Sequence, residues 1–92
     1  MFYVYILVSK CDGSLYTGHA NDLLQRFRRH NSGSVKSTRH KVPYDLGYFE
    51  TFNTRAEAMW CEWEFKTKIS TGQKKKLIAE FDQNLIKTVL ED

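Results

Sequence analysis

The amino-acid sequence predicts an α+β fold: a small, mostly antiparallel three-stranded sheet flanked by helices, in the order ββαβαα. Three observations carry this expectation. Two runs rich in β-branched and aromatic residues, Phe2 to Val8 and Ser14 to His19, flank Asp12-Gly13, a dipeptide suited to a tight hairpin turn. Two later stretches, about 22–32 and 55–68, carry apolar residues at helical spacing. A third β-rich run, about Leu46 to Phe52, stands between them after Pro43.

In the first strand, period two puts Tyr3, Tyr5 and Leu7 on one face and Val4, Ile6 and Val8 on the other. Both faces are apolar, so the sheet is expected to be covered on both sides, and Tyr5 and Tyr16 are able to meet across the hairpin. In the first helix, Asn21 suits the N-cap, Asp22 suits the positive end of the helix dipole, and Gly33 suits the termination. Leu23, Leu24 and Phe27 form its apolar stripe. Arg26 and His30 border that stripe, whereas Gln25, Arg28 and Arg29 lie on the outer arc.

A polar loop, Ser34 to Tyr44, leads to the third strand. Thr54 and Glu57 form a capping-box pattern that opens the second helix. Ala58, Cys61, Phe65 and Ile69 cover one arc of that helix, and Ala56, Met59, Trp60 and Trp63 another. Glu62 falls between the two apolar arcs, so solvation alone does not explain its position. Ser70 and Gln73 repeat the capping pattern before Leu77, Ile78, Phe81, Leu85 and Val89, which make one further helix or two shorter ones.

A chain of 92 residues is expected to form one domain over 1–92, with a core of about 1–80 and a C-terminal helical extension of about 81–92. No stretch approaches the roughly 18 apolar residues of a membrane span, and the first residues lack the basic segment of a secretory signal. The expected location is cytoplasmic, without membrane attachment. Cys11 and Cys61 have neither metal-ligand spacing nor neighbouring His, which argues against a zinc motif or a disulfide framework. The net charge is +3, but its distribution is uneven: residues 23–44 hold six Lys or Arg, two His and no acid. Such a block suits a surface that neutralises phosphates, although a solvated helix and loop would carry the same charge.

Tyr3-Val4-Tyr5 and Tyr16-Thr17-Gly18, followed by Leu24-Gln25-Arg26, His30-Asn31-Ser32-Gly33 and the stretch Arg55 to Lys66 with Glu62, occur in an order and spacing that resemble the GIY-YIG nuclease family. Lys36, Thr38, Arg39 and Pro43 bring the pattern nearest to small stand-alone bacterial members. The resemblance covers most of the chain. Each short motif is weak, and the ordered set is strong. Three positions depart from the family pattern: Tyr3 stands where the motif name has Gly, Thr17 where it has Ile, and His19 where repair-enzyme relatives carry a Lys. A neutral imidazole at His19 would serve a phosphate less well than that Lys. Trp60 and Trp63 stand where polar residues are usual, as packing or partner surface.

The resemblance implies the GIY-YIG endonuclease fold and metal-dependent hydrolysis of DNA phosphodiester bonds, in repair or recombination. It implies Tyr5, Tyr16, Arg26, His30 and Glu62 as catalytic residues, with one Mg²⁺ or Mn²⁺ on Glu62 and no organic cofactor. Arg26 would bind the scissile phosphate, the tyrosines would position or deprotonate water, and His30 would assist proton transfer. A phenol of ordinary pKa about 10 would need nearby positive charge to ionise. Which group is the base stays open. His19, Arg28, Arg29, Lys36, Arg39 and Lys41 are the expected nucleic-acid contacts. The implied partner is DNA, with a protein partner or a second copy as a further candidate. The rivals are a nucleic-acid-binding module that does not cleave and a subunit activated by a partner. Singly, each residue also has a structural reading: tyrosines packing in the sheet, Arg26 and His30 on a helix surface, Gly18 serving only the backbone, Glu62 paired with Lys66.

Overall fold

The computed structural model describes residues 1–91. The elements run β1 (Phe2–Ser9), β2 (Leu15–Ala20), α1 (Leu23–Asn31), β3 (Tyr44–Phe52), α2 (Arg55–Thr67), α3 (Thr71–Glu80) and α4 (Gln83–Leu90), with a short 3-10 turn at Arg39–Lys41. The predicted α+β class is the observed one. β1 is the central strand of an antiparallel sheet ordered β2-β1-β3.

Alternation in β1 builds two cores. Tyr5 and Leu7 pack with Leu23, Tyr44, Leu46 and Ile86 beneath α1 and α4. Val4 and Ile6 pack on the opposite face with Ala58 and Phe65 of α2, backed by Leu77 and Ile78 of α3. Burial on both faces explains why β1 reads as a continuous apolar run instead of an alternating one. α4 is part of the first core through Ile86, with Val89 and Leu90 packed against it. The C-terminal apolar residues form two helices because Phe81 and Asp82 take extended backbone between them, and Asp82 caps the second through the Asn84 N–H.

Several boundaries differ from those expected. The hairpin connection is Lys10–Ser14 instead of a two-residue turn. The Asp12 carboxylate accepts from Ser14 N at 2.9 Å, Gly13 takes φ +77°, and Gly13 N donates to the Ser9 carbonyl at 2.9 Å. Asp22, not Asn21, caps α1, accepting from Gln25 N at 3.0 Å. The Thr54 cap forms, accepting from Glu57 N at 3.2 Å, but Glu57 accepts from the Thr54 hydroxyl and not from its backbone N–H. The Ser70–Gln73 box is reciprocal as expected.

β3 begins at Tyr44, two residues earlier than its apolar pattern suggests. The reason lies in α1. The Asn31 side chain donates to the Tyr44 carbonyl at 3.1 Å and accepts from Tyr44 N at 2.7 Å, so it takes the place of a neighbouring strand. This clip joins the end of α1 to the start of β3 beside His30. Among the described residues, no helix is long and apolar enough to cross a membrane.

Candidate functional site

Strand alternation sends Tyr16 and Gly18 of β2 to the α1 side and Thr17 and His19 to the α2 side. Tyr5 pairs with Gly18 in register, and its phenol lies over that residue. A Cβ at position 18 would fall 2.6 Å from Tyr5 Oη and 2.8 Å from its Cζ. Gly18 therefore does more than serve its own backbone: it makes the space in which Tyr5 sits.

Tyr5 Oη lies 2.9 Å from His30 Nε2, and His30 Nδ1 lies 2.8 Å from Thr38 Oγ1. Tyr5, His30 and Thr38 are 1%, 0% and 1% exposed. The imidazole sits among rings, 5.0 Å from Tyr16 and 6.4 Å from Tyr44 between centroids. Burial, with help from the charges of Arg26 and Arg29, pushes His30 down to about 4, so its ring is neutral at pH 7. Burial also pushes Tyr5 up to about 12, against the opposing influence of Arg26. The positive charge needed for phenolate is present, but desolvation outweighs it, and Tyr5 is a neutral phenol. Tyr16, half-buried, forms the outer side of the ring cluster.

Arg26 is partly buried. Its Nε has no hydrogen-bond partner among the described residues. An orphaned guanidinium nitrogen is costly in a protein interior and invites an acceptor from outside the chain. Arg26 lines a cavity of about 330 Å³ together with His19, Asn21, Asp22, Gln25, Arg29 and Arg55. Three arginines against one aspartate give this cavity a cationic wall suited to a phosphate.

Glu62 lies across the sheet edge from this chain, its side chain 17% exposed. It contacts His19 Nδ1 through Oε1 and Lys66 Nζ through Oε2, the latter at 2.6 Å. Burial would raise its pKa, but Lys66 and His19 together hold it below the usual carboxylate range. Its charge reaches Tyr5 on the other face. Among the described residues, no group of three or more His, Cys, Asp or Glu is placed to hold a metal. An ionised single carboxylate still fits Mg²⁺, which keeps several waters and completes its shell with substrate oxygens, provided His19 and Lys66 yield the Glu62 oxygens.

The expected phosphate contacts divide. Arg29 joins the cationic cavity, and Arg28 and Arg29 line a second depression on the outer side of α1. Lys36 and Arg39 are exposed on the loop. Lys41 is held against the hairpin, 3.3 Å from Asp12 and from Ser14 Oγ, so much of its charge is already matched. His19, expected to face phosphate, lines the cationic cavity and also pairs with Glu62. Thr38, Tyr44 and Arg55 belong to the site or its wall without having been expected there. A lone Thr in a polar loop carries no local signal, and Arg55 read only as the first residue of a helix.

A family model described as the GIY-YIG catalytic domain matches residues 1–77. The chain belongs to the GIY-YIG family. A UPF0213 protein of Staphylococcus saprophyticus is 47% identical over 78 residues, covering 83% of this chain and 94% of its own. One of Haloquadratum walsbyi is 42% identical over 80 residues, covering 85% and 88%. The solution NMR structure of a UPF0213 protein from Bacillus halodurans superposes with a TM-score of 0.56 at 38% identity, covering 96% of this chain and 94% of that one. The GIY-YIG fold is thus shared with a solved relative, and the family's named motif residues are those clustered around Tyr5 and Gly18.

Two consequences can be measured. Gly18→Ala should destabilise this GIY-YIG domain by about 1–3 kcal/mol, because the pinned phenol has nowhere to move. Thermal unfolding should show a fall of roughly 4–8 °C per kcal/mol, and an unchanged midpoint would contradict the close packing. His30 supplies the second. Its folded pKa of about 4 lies below the ordinary 6.5, so the unfolded chain binds the extra proton between those values. Its contribution to stability is complete above about pH 6.5 and is lost as pH falls toward 4, by roughly 3 kcal/mol. Urea unfolding across that window should fall more steeply for wild type than for His30→Gln, and parallel curves would contradict a buried neutral imidazole.

Proposed function

We propose that this GIY-YIG protein is a metal-dependent endonuclease that hydrolyses DNA phosphodiester bonds. The unpartnered Arg26 Nε beside a cavity walled by Arg26, Arg29 and Arg55 is the observation that carries this reading. A phosphodiester oxygen supplies the missing acceptor, and the same guanidinium shields charge that develops during attack on phosphorus.

Water deprotonation is assigned to Tyr5 backed by His30. A neutral phenol is a poor base alone, but Tyr5 Oη can accept a proton from water as its own passes to His30 Nε2, 2.9 Å away. The oxygen of that water forms the new bond to phosphorus while the bond to the leaving oxygen breaks. The entering phosphodiester brings negative charge, which raises the basicity of His30 when it is needed. Tyr16, at the mouth of the ring cluster, orients the water. Glu62 would hold the Mg²⁺ or Mn²⁺, whose chemistry is to neutralise phosphoryl charge and stabilise the leaving alkoxide. Lys36, Arg39, Arg28 and Arg29 extend the cationic surface along the DNA backbone.

The His19 and Lys66 contacts to Glu62 favour a second reading, in which the carboxylate is released only by substrate or by a partner. The exposed Trp60 and Trp63, stacked with centroids 5.0 Å apart, offer such a partner an aromatic surface.

Labelled single-stranded, duplex, flap and four-way-junction DNA, incubated with Mg²⁺ or Mn²⁺, tests both readings. Wild type should yield metal-dependent products, and Glu62→Ala and Arg26→Ala should each lose about 100-fold or more. Salt-sensitive binding without products from any substrate would overturn the stand-alone nuclease and leave a binding module or a partner-activated subunit.

A further inference from the structure

Thr38 lies in the loop between α1 and β3, eight residues beyond His30, and its side chain is as buried as the imidazole it touches. Buried donors require acceptors, and a neutral imidazole carries one proton, so the protons along Tyr5, His30 and Thr38 can be placed by following the acceptors. Among the described residues, the acceptor within hydrogen-bond reach of Tyr5 Oη is His30 Nε2. If Nε2 carried the proton, the phenol proton of a 1%-exposed tyrosine would have no acceptor among the described residues. If Nδ1 carries it, every donor is matched: Tyr5 donates to Nε2, Nδ1 donates to Thr38 Oγ1, and the Thr38 hydroxyl donates to the Val35 carbonyl at 3.5 Å. The groups facing the imidazole from the surrounding elements are Tyr5 of β1, Tyr16 of β2, Tyr44 of β3, and Arg26 and Arg29 of α1. None of these supplies an alternative acceptor for Nδ1–H.

We propose that Thr38 is a positioning residue that accepts from His30 Nδ1–H, so that the tautomer Tyr5 requires leaves no buried donor unmatched and Nε2 stays open to receive the Tyr5 proton. This deepens the nuclease reading and rests on it for its catalytic consequence. In hydrolysis the proton travels from water to Tyr5 Oη and from Tyr5 to Nε2, while Nδ1–H stays on Thr38. Reversing the tautomer would point N–H at Tyr5 and block that transfer without moving a heavy atom.

The tautomer is read directly from ¹⁵N resonances of the imidazole in the intact protein at pH 7, where the protonated and bare nitrogens are well separated. Wild type and Thr38→Ser should show Nδ1 protonated and Nε2 bare. Thr38→Val, which keeps the shape and removes the acceptor, should leave the proton on Nδ1, because Tyr5 still needs a bare Nε2, but should shift the Nδ1 resonance away from its hydrogen-bonded position. An Nε2–H tautomer in wild type would overturn the proposal whether or not the valine variant folds, as would a valine variant with an unshifted Nδ1 resonance. Where DNA cleavage is measurable, Thr38→Val should lower kcat by about 100-fold with KM for DNA unchanged, and Thr38→Ser should restore most of it. Unchanged kcat in a folded Thr38→Val variant would overturn the catalytic consequence. Absence of cleavage by wild type would count against the nuclease reading while leaving the tautomer assignment to the spectra.

Discussion

The buried hydrogen-bonded chain from Tyr5 through His30 to Thr38 is the constraint around which the rest of the site is arranged. It joins the central strand, the first helix and the following loop at one point, with every member 1% exposed or less. Such a polar network is tolerated in a core only when its donors and acceptors are matched, and matching demands one geometry. Gly18 provides the space for the phenol, and the Asn31 clip to Tyr44 holds the end of α1 so that His30 keeps its depth. The same burial that makes the network rigid also keeps both titratable members neutral at pH 7.

The second half of the site lies on the other face of the sheet. A strand sends successive side chains to opposite sides, so the pair Gly18 and His19 on edge strand β2 links the two halves. Tyr5 sits over Gly18 on the α1 side. His19 meets Glu62 on the α2 side. A site built around an edge strand can engage a long, charged ligand without breaking either core, and this explains why a small domain can devote several core positions to polar chemistry. The carboxylate is held ionised by Lys66 and His19 against the desolvation of its half-buried position.

Much of this fold was legible in the sequence because local rules and tertiary packing agree. The two apolar faces of β1, the cap at Thr54 and the capping box at Ser70 all appear where period and cap chemistry put them. The early start of β3 was not legible, since it depends on an Asn side chain 13 residues away. The site shows the same division. Tyr5, Tyr16, Arg26, His30 and Glu62 were picked out by resemblance to an ordered motif set, and the structure brings Tyr5, Tyr16 and His30 into one cluster. Their partners were not readable. His19 and Glu62 are 43 residues apart, and nothing local to either marks the other. Thr38 drew notice only as one of the loop residues that carry the family resemblance, with no role of its own, because a hydroxyl acquires its meaning from the imidazole buried beside it. The ionisation state of Tyr5 was not readable for a related reason: charge can be counted in a sequence, whereas desolvation cannot.

Whether the two faces serve a single site can be tested by paramagnetic broadening. Mn²⁺ would be added to ¹⁵N-labelled protein bound to a DNA whose phosphorothioate linkages resist cleavage. Amide broadening should be centred on Glu62, fall off outward through His19, Gly18 and Tyr16 along β2, and disappear in Glu62→Ala. Broadening centred away from the β2 edge, or persisting unchanged in that variant, would contradict a shared site that spans the sheet.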